Sequence, residues 1–229
     1  MKFSIFIQKV KRKWIKLRLQ PIRVFCFHHV CKQFDVDAMN DGDWMELSVF
    51  QDKVNELINQ GYHFISLSDA YQHMKKDYIR LCKYAILAFD DGYSSLKEIL
   101  PWLDSQKIPV ILFVNGKYLD GKSYRNSPKE KYLTQKELFA LNHSLIEIGS
   151  HGYEHVDATQ MNKEEFLIHI EKNIEVLQPH PCYVPFHAYT WGRHTEYTDE
   201  VLHRKMITPV YVDGMKNYNA TSVIHREVL

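Results

Sequence analysis

Past residue 23 the apolar positions fall into two alternating patterns. Val24–Phe27, Tyr84–Phe89 and Val110–Val114 are short unbroken apolar runs rich in aromatic and β-branched residues, the mark of strands buried on both faces. Phe64–Leu67, Leu145–Gly149, Tyr183–Tyr189 and Thr208–Val212 read as further strands. Between them the period lengthens to that of a helix, over Leu47–Gln60 (closed by Gly61), Ser68 or Asp69 through Met74, Ser94–Gln106, Thr134–His143, Asn162–Leu177 and Thr195–Lys205. Thr134 and Glu137 have the spacing of a capping box, while Pro101 predicts a break or kink in its helix. Residues 116–133 are polar and predict a long functional loop. Alternating strands and helices predict parallel strands joined by right-handed crossovers, hence an α/β sheet or barrel. No repeat or linker divides the chain, so one domain is expected over 22–229 with an arm, 1–21, in front of it.

Composition adds little to this picture, but charge adds something. Apolar residues at 45% and charged residues at 25% of 229 positions are ordinary globular values, and a chain of this length buries roughly 70% of its unfolded surface without staples. The four cysteines are too few and scattered for a disulfide framework or a zinc ribbon, and read as reduced, buried thiols of a reducing compartment. The net charge of +1 hides an asymmetry: residues 1–23 hold eight Lys/Arg and no acid. If Phe3–Leu19 is helical, Phe3, Ile7, Val10, Trp14 and Leu17 form an apolar stripe, with Lys9, Arg12, Lys13 and Lys16 mostly to the other side. Such a helix suits an anionic membrane surface, where each Lys/Arg contributes ~1 kcal/mol; packing on its own domain or a partner suits it too. The segment does not read as a secretory signal, and no run of about 18 apolar residues occurs. A cytoplasmic protein is therefore expected, with peripheral contact to the inner membrane face through residues 2–20. Nucleic acid is not an expected partner, because the rest of the chain is acidic overall and carries no recognition motif.

Active residues of parallel α/β folds sit just past the carboxyl ends of strands. Asp90-Asp91-Gly92 follows Tyr84–Phe89 directly. Two adjacent carboxylates repel, and burying them costs several kcal/mol unless a cation or hydrogen bonds compensate. A metal with one carboxylate as ligand and the other as base satisfies this; a solvated turn does so equally. His151-Gly152-Tyr153-Glu154-His155 follows the next strand but one, and two histidines four apart can share a metal such as Zn²⁺ from a loop or helix face. That spacing is also common in ordinary helices. Taken together, one carboxylate and two histidines on two strand ends form the three-ligand set of an open catalytic metal site. An Asp-nucleophile phosphatase is excluded by the lack of an Asp-x-Asp pattern after the Tyr84–Phe89 strand.

Ala88-Phe89-Asp90-Asp91-Gly92 resembles the Thr-Phe-Asp-Asp-Gly motif of the polysaccharide deacetylases, carbohydrate esterase family 4 (the NodB-homology domain). His151 through His155 resembles that family's His-(Ser/Thr)-x-x-His motif, and Phe27-His28-His29-Val30 resembles the segment opening the first strand in its poly-N-acetylglucosamine deacetylase branch. The resemblance covers about residues 22–229. It implies a distorted (β/α)₇ barrel and a divalent metal, usually Zn²⁺, held by Asp91, His151 and His155. It further implies Asp90 as general base, a backbone N–H at Tyr93 or a neighbour for the oxyanion, and an N-acetylated glycan or glycan precursor as substrate. His28, Tyr93, Tyr189 and Trp191 are the expected substrate-lining residues, and Tyr153, Tyr189 and Trp191 are the rings expected to stack on sugars.

Departures from the family pattern keep a second reading open. Ala88 replaces the threonine, and Gly152 stands where a serine or threonine would support the metal loop. Phe186 to Arg193 looks like the family's Phe-Ala-Tyr-Pro-Tyr-Gly stretch with Thr190 for proline and His187 shifted or inserted. The late Leu-x-x-x-His element that supplies the general acid is not recognisable; Ile224-His225-Arg226 looks more like the Pro-Arg ending of the polymer-deacetylase branch, and His225 reads better as a surface histidine. A catalytically silent, glycan-binding or scaffolding member is the alternative.

Overall fold

The computed structural model describes residues 20–34, 44–76, 82–120, 131–219 and 222–229; the expected arm helix, Phe3–Leu19, lies outside them. Seven parallel strands close a barrel in the cyclic order β1 (Ile22–Phe27), β10 (Ile224–Val228), β9 (Thr208–Val212), β8 (Tyr183–Ala188), β7 (Ile146–Ser150), β6 (Val110–Val114), β5 (Lys83–Phe89). β5 pairs with β1 along its whole length from Ile22↔Tyr84 to Phe27↔Phe89, which shuts the ring. β4 (Tyr62–Phe64) lies beside the start of β5, on the edge that β6 takes further along. A separate small parallel pair joins β2 (His29–Cys31) to β3 (Trp44–Glu46). This is the distorted (β/α)₇ barrel that the family resemblance implied, with β1 and β10 bringing the two ends of the described chain together.

Strand alternation decides which side chains reach the barrel's interior. Ile22 and Val24, Ile86 and Ala88, Ile111 and Phe113, Phe186 and Ala188, Val210 and Ile224 form one inner cluster. Their neighbours, among them Phe25, Phe27, Leu87, Phe89, Leu112 and Val114, pack outward against α1 (Leu47–Asn59), α3 (Leu100–Gln106), α4 (Gln135–Phe139) and α5 (Lys163–Leu177). Phe166 and Ile170 of α5 meet Val201 and Leu202 of α6 (Glu196–Arg204) in a further cluster. The amino-terminal side of the barrel is plugged by α2 (Leu67–Lys75), whose Leu67, Ala70 and Met74 join the inner cluster. Glu147 on β7 accepts the Leu67 and Ser68 N–H groups at 2.9 and 3.2 Å, so the plug's exposed amides are satisfied from within the barrel. The carboxyl-terminal mouth is thereby left for chemistry.

Several sequence expectations shift. The segment expected as one helix over Ser94–Gln106 is a 3₁₀ turn, Ser94–Glu98, followed by α3, and Pro101 sits in the first turn of α3, where its missing N–H costs nothing. The helix from Thr134 ends at Phe139, with its capping box formed as expected. Ser66, not Ser68 or Asp69, caps α2. β2, β3 and β10 were not anticipated. The cysteines form no disulfide; Cys26 and Cys31 are buried as expected, Cys182 is half-buried, and Cys82 is exposed. Among the described residues no helix is long and apolar enough to cross a membrane.

Candidate active site

Asp90 follows Ile86 and Ala88 on the inward row of β5, and its N–H still donates to Phe27 O at 2.9 Å, so the strand delivers this carboxylate into the barrel. The chain then turns sharply. Asp91 has φ +68° and Gly92 φ +76°, and the Gly92 N–H returns to Asp90 O at 2.9 Å. A left-handed aspartate costs on the order of 1 kcal/mol. The turn separates two adjacent side chains that a continuing strand would merely alternate, and sends each to a different wall of the mouth.

Asp90 meets Arg226 of β10. The guanidinium grips it with both terminal nitrogens, at 2.6 and 3.0 Å, and Arg226 is wholly buried. Arg226 shares the inward row with Ile224, and its plane lies over the Phe113 ring at 5.1 Å. The Cys26 thiol donates to the same carboxylate at 3.4 Å. Burial by itself pushes Asp90 upward, but the Arg226 charge and its hydrogen bonds hold it well below the usual carboxylate range. Burial pushes the Cys26 thiol up, so it remains a protonated donor.

Asp91 meets the histidines. Its Oδ1 lies 3.6 Å from His151 Nε2 and 3.3 Å from His155 Nε2. His151 Nδ1 lies 2.8 Å from Ala188 O, which can only accept, so the ring's proton belongs on Nδ1 and the Nε2 lone pair faces Asp91. Burial lowers the His151 pKa, so its imidazole is neutral. The His151 N–H donates to Val114 O at 3.0 Å, and Asn115 Nδ2 donates to the carbonyls of His151 and Gly152 at 2.7 and 3.0 Å. The His155 N–H donates to the Tyr118 hydroxyl at 3.1 Å. One carboxylate oxygen and two imidazole nitrogens thus lie within 4.8 Å of one another, at the end of a buried sheet. The donor set, a hard oxygen with two imidazole nitrogens, fits a divalent ion of the Zn²⁺ type.

The remaining candidates divide. His28, between β1 and β2, brings a ring nitrogen within 4.8 Å of Cys26 and Asp90 ligand atoms, on the Asp90 side of the mouth. Trp191 is 60% exposed, has φ +53°, and stands edge-on to His155 with ring centroids 4.5 Å apart. Tyr93 and Tyr189 do not present their rings at the mouth. The Tyr93 ring is buried between His29 and Tyr132. Tyr189 is buried against Phe166 and His194, and its hydroxyl donates to Asp199 at 2.8 Å. Stacking on a sugar needs an exposed face, which the Tyr189 ring lacks; an aromatic near a strand end carries the same letter in either setting. His225, next to Arg226 on a strand of period two, turns outward to Asp213 Oδ2 at 2.7 Å. His187 likewise faces outward and lies 3.0 Å from Ser150 Oγ. Sequence reading gave Arg226 no role in the site; the signals for one are the resemblance of Ile224-His225-Arg226 to the Pro-Arg ending of the polymer-deacetylase branch and the alternation of that run.

The family described as polysaccharide deacetylase matches residues 78–210, a span that includes Asp90, Asp91, His151 and His155 and stops before Arg226. The fold is similar to that of IcaB from Ammonifex degensii, with a TM-score of 0.79, 18% identity and 93% of each chain covered. It is similar to the Streptococcus pyogenes deacetylase PplD, with a TM-score of 0.79 and 16% identity over 92% of this chain and 93% of that one. A de-N-acetylase from Aggregatibacter actinomycetemcomitans gives a TM-score of 0.77 and 16% identity over 92% and 95%. Comparison with curated proteins gave no match. With the family signature running over more than half of its length and over both strand ends that carry the paired acidic and histidine residues, the chain belongs to the polysaccharide deacetylase family.

Proposed function

We propose that this protein is a metal-dependent hydrolase that removes the N-acetyl group from an N-acetylhexosamine in a glycan or glycan precursor. The observation that carries the reading is the convergence of Asp91, His151 and His155 ligand atoms within 4.8 Å, beside a second buried carboxylate, Asp90. Support also comes from the similar structures, deacetylases among them, one in complex with acetate. Asp91, His151 and His155 would hold the ion, most simply Zn²⁺, which when bound polarises the acetyl carbonyl and acidifies a water.

Asp90 is the base. Arg226 keeps it ionised and fixes its plane, so it takes a proton only from an acidified donor. A backbone N–H at the Gly92–Tyr93 turn would stabilise the oxyanion, and acetate leaves a free amine on the sugar. Trp191 offers the exposed ring at the mouth for sugar stacking, and His28 lines the Asp90 side. The silent, glycan-binding reading is favoured by one feature, the outward turn of His225 toward Asp213.

The test is amine release by the full chain, with added metal, from chitooligosaccharides, β-1,6-linked oligomers and lipid-linked acetylated sugars. Release is expected from at least one class, with Asp90→Asn lowering it about 10²-fold or more. Release that survives Asp90→Asn unchanged would sink the enzyme reading. The basic residues 2–20 are proposed to dock on anionic lipid. Deleting them should free the protein from anionic vesicles and leave amine release intact.

A further inference from the structure

The loop from His151 to His155 must aim two imidazoles although Gly152 gives it no side chain of its own. Gly152 has φ +84°, and a Cβ placed on it would lie 2.5 Å from His169 Nε2 and 3.3 Å from Glu154 O. The room a side chain would need is therefore filled from outside the loop, by an imidazole on α5. The Tyr153 N–H donates to His169 Nε2 at 3.1 Å, so that nitrogen is an acceptor and the ring's proton belongs on Nδ1. Burial keeps the ring neutral, pushing its pKa down to about 4, with Glu154 pulling upward and Lys172 downward.

The same helix holds the other end of the loop. Asn173 lies one turn beyond His169 and is fully buried. Its Nδ2 donates to Ser150 Oγ at 2.8 Å and to Val114 O at 3.1 Å, while its Oδ1 accepts the Gly116 N–H at 2.7 Å. Ser150 Oγ in turn accepts the Gly152 N–H at 3.2 Å. One face of α5 thus grips the residue before His151 and the residue two after it.

We infer that His169 is a positioning residue for the His151–His155 pair, fixing their loop through the Tyr153 N–H in place of a side chain at position 152, with Asn173 anchoring the loop's start. His169 touches the loop backbone and takes no part as a ligand. The inference rests on the metal-site reading above. Groups that orient metal ligands from behind typically contribute about 10–100-fold to metal affinity.

Zn²⁺ titration of the metal-free full chain by calorimetry, with its melting temperature measured alongside, tests this. His169→Leu fills the space but offers no acceptor; His169→Gln restores an acceptor oxygen at similar reach. The expected result is about tenfold or greater loss of Zn²⁺ affinity in His169→Leu, recovery of most of it in His169→Gln, and metal-free melting temperatures that stay close together. Should His169→Leu fail to fold, His169→Met takes its place. Equal affinity in all variants, or equal loss in the Leu and Gln variants, overturns the inference while leaving the metal site standing. A wild-type chain that binds no Zn²⁺ removes the metal site itself, and the inference with it.

Discussion

Asp90 and Asp91 leave the same strand end in different directions, and the two walls of the mouth they face are built on different principles. On the β1 and β10 side, Asp90 is met by a fully buried guanidinium and a thiol, so folding itself supplies the compensating charge. On the β7 side, Asp91 is met by imidazoles, one of which burial holds neutral. The first wall carries its own countercharge and fixes the Asp90 carboxylate. The second gathers lone pairs, an arrangement that gains most when a cation joins it. A loss on the first wall should therefore appear as instability, and a loss on the second as missing metal.

The largest expected effect breaks the first wall. Arg226→Met strands a buried carboxylate and should cost about 3–5 kcal/mol in urea unfolding. Adding Asp90→Asn to it should recover much of that loss, because the pair then goes together. A cost below about 1 kcal/mol would erase the contrast between the walls. Next, Asp91→Asn should leave metal-free stability within about 1 kcal/mol of wild type. It should also abolish the Zn²⁺-induced stabilisation, which for an intact site is about 2.7 kcal/mol at a hundredfold excess over Kd. Thermal melts with and without Zn²⁺ read both numbers. Trp191→Ala, at an exposed position, should raise KM roughly 3–10-fold with stability changed by under about 0.5 kcal/mol. An unchanged KM would remove Trp191 from the substrate's path.

The smallest effect lies away from both walls and sets the acid background for them. Glu137, in the α4 capping box and paired with Lys97, has its pKa pushed down to about 2, first by Lys97 and then by the Thr134 N–H. Its folded pKa lies below its unfolded one, so its contribution is complete above about pH 4.5 and disappears as pH falls toward 2. The pair is partly exposed, which limits the effect to under ~1 kcal/mol. Glu137→Gln should flatten the melting temperature between those pH values; an equally steep curve would assign acid sensitivity to other carboxylates.

The legible parts of this molecule were those whose signal is local. Tyr84–Phe89 and Val110–Val114 announce buried strands by composition, and the residues just past Phe89 and Ser150 stand at the strand ends that parallel α/β folds use for chemistry. Thr134 with Glu137 and Asn162 with Glu165 cap helices within four residues. Arg226 was invisible in its role because its partner lies 136 residues away, and a single arginine in a short terminal strand has no pattern of its own. Period two places only one of the neighbours His225 and Arg226 inside the barrel, and the outward one is His225, as a surface histidine requires. Three-residue strands such as β2 and β3 are too short to show periodicity. Gly152 read as a lost support, since nothing in its neighbourhood points to a histidine 17 positions further on that fills its space.

The central claim, that one wall of the mouth is completed by the chain and the other by a metal, is tested most directly by elemental analysis of the purified full-length protein and two variants. The account predicts one divalent ion per chain in wild type and in Asp90→Asn, and none in Asp91→Asn. A wild-type chain without stoichiometric metal, or an Asp91→Asn chain that retains it, would contradict the account.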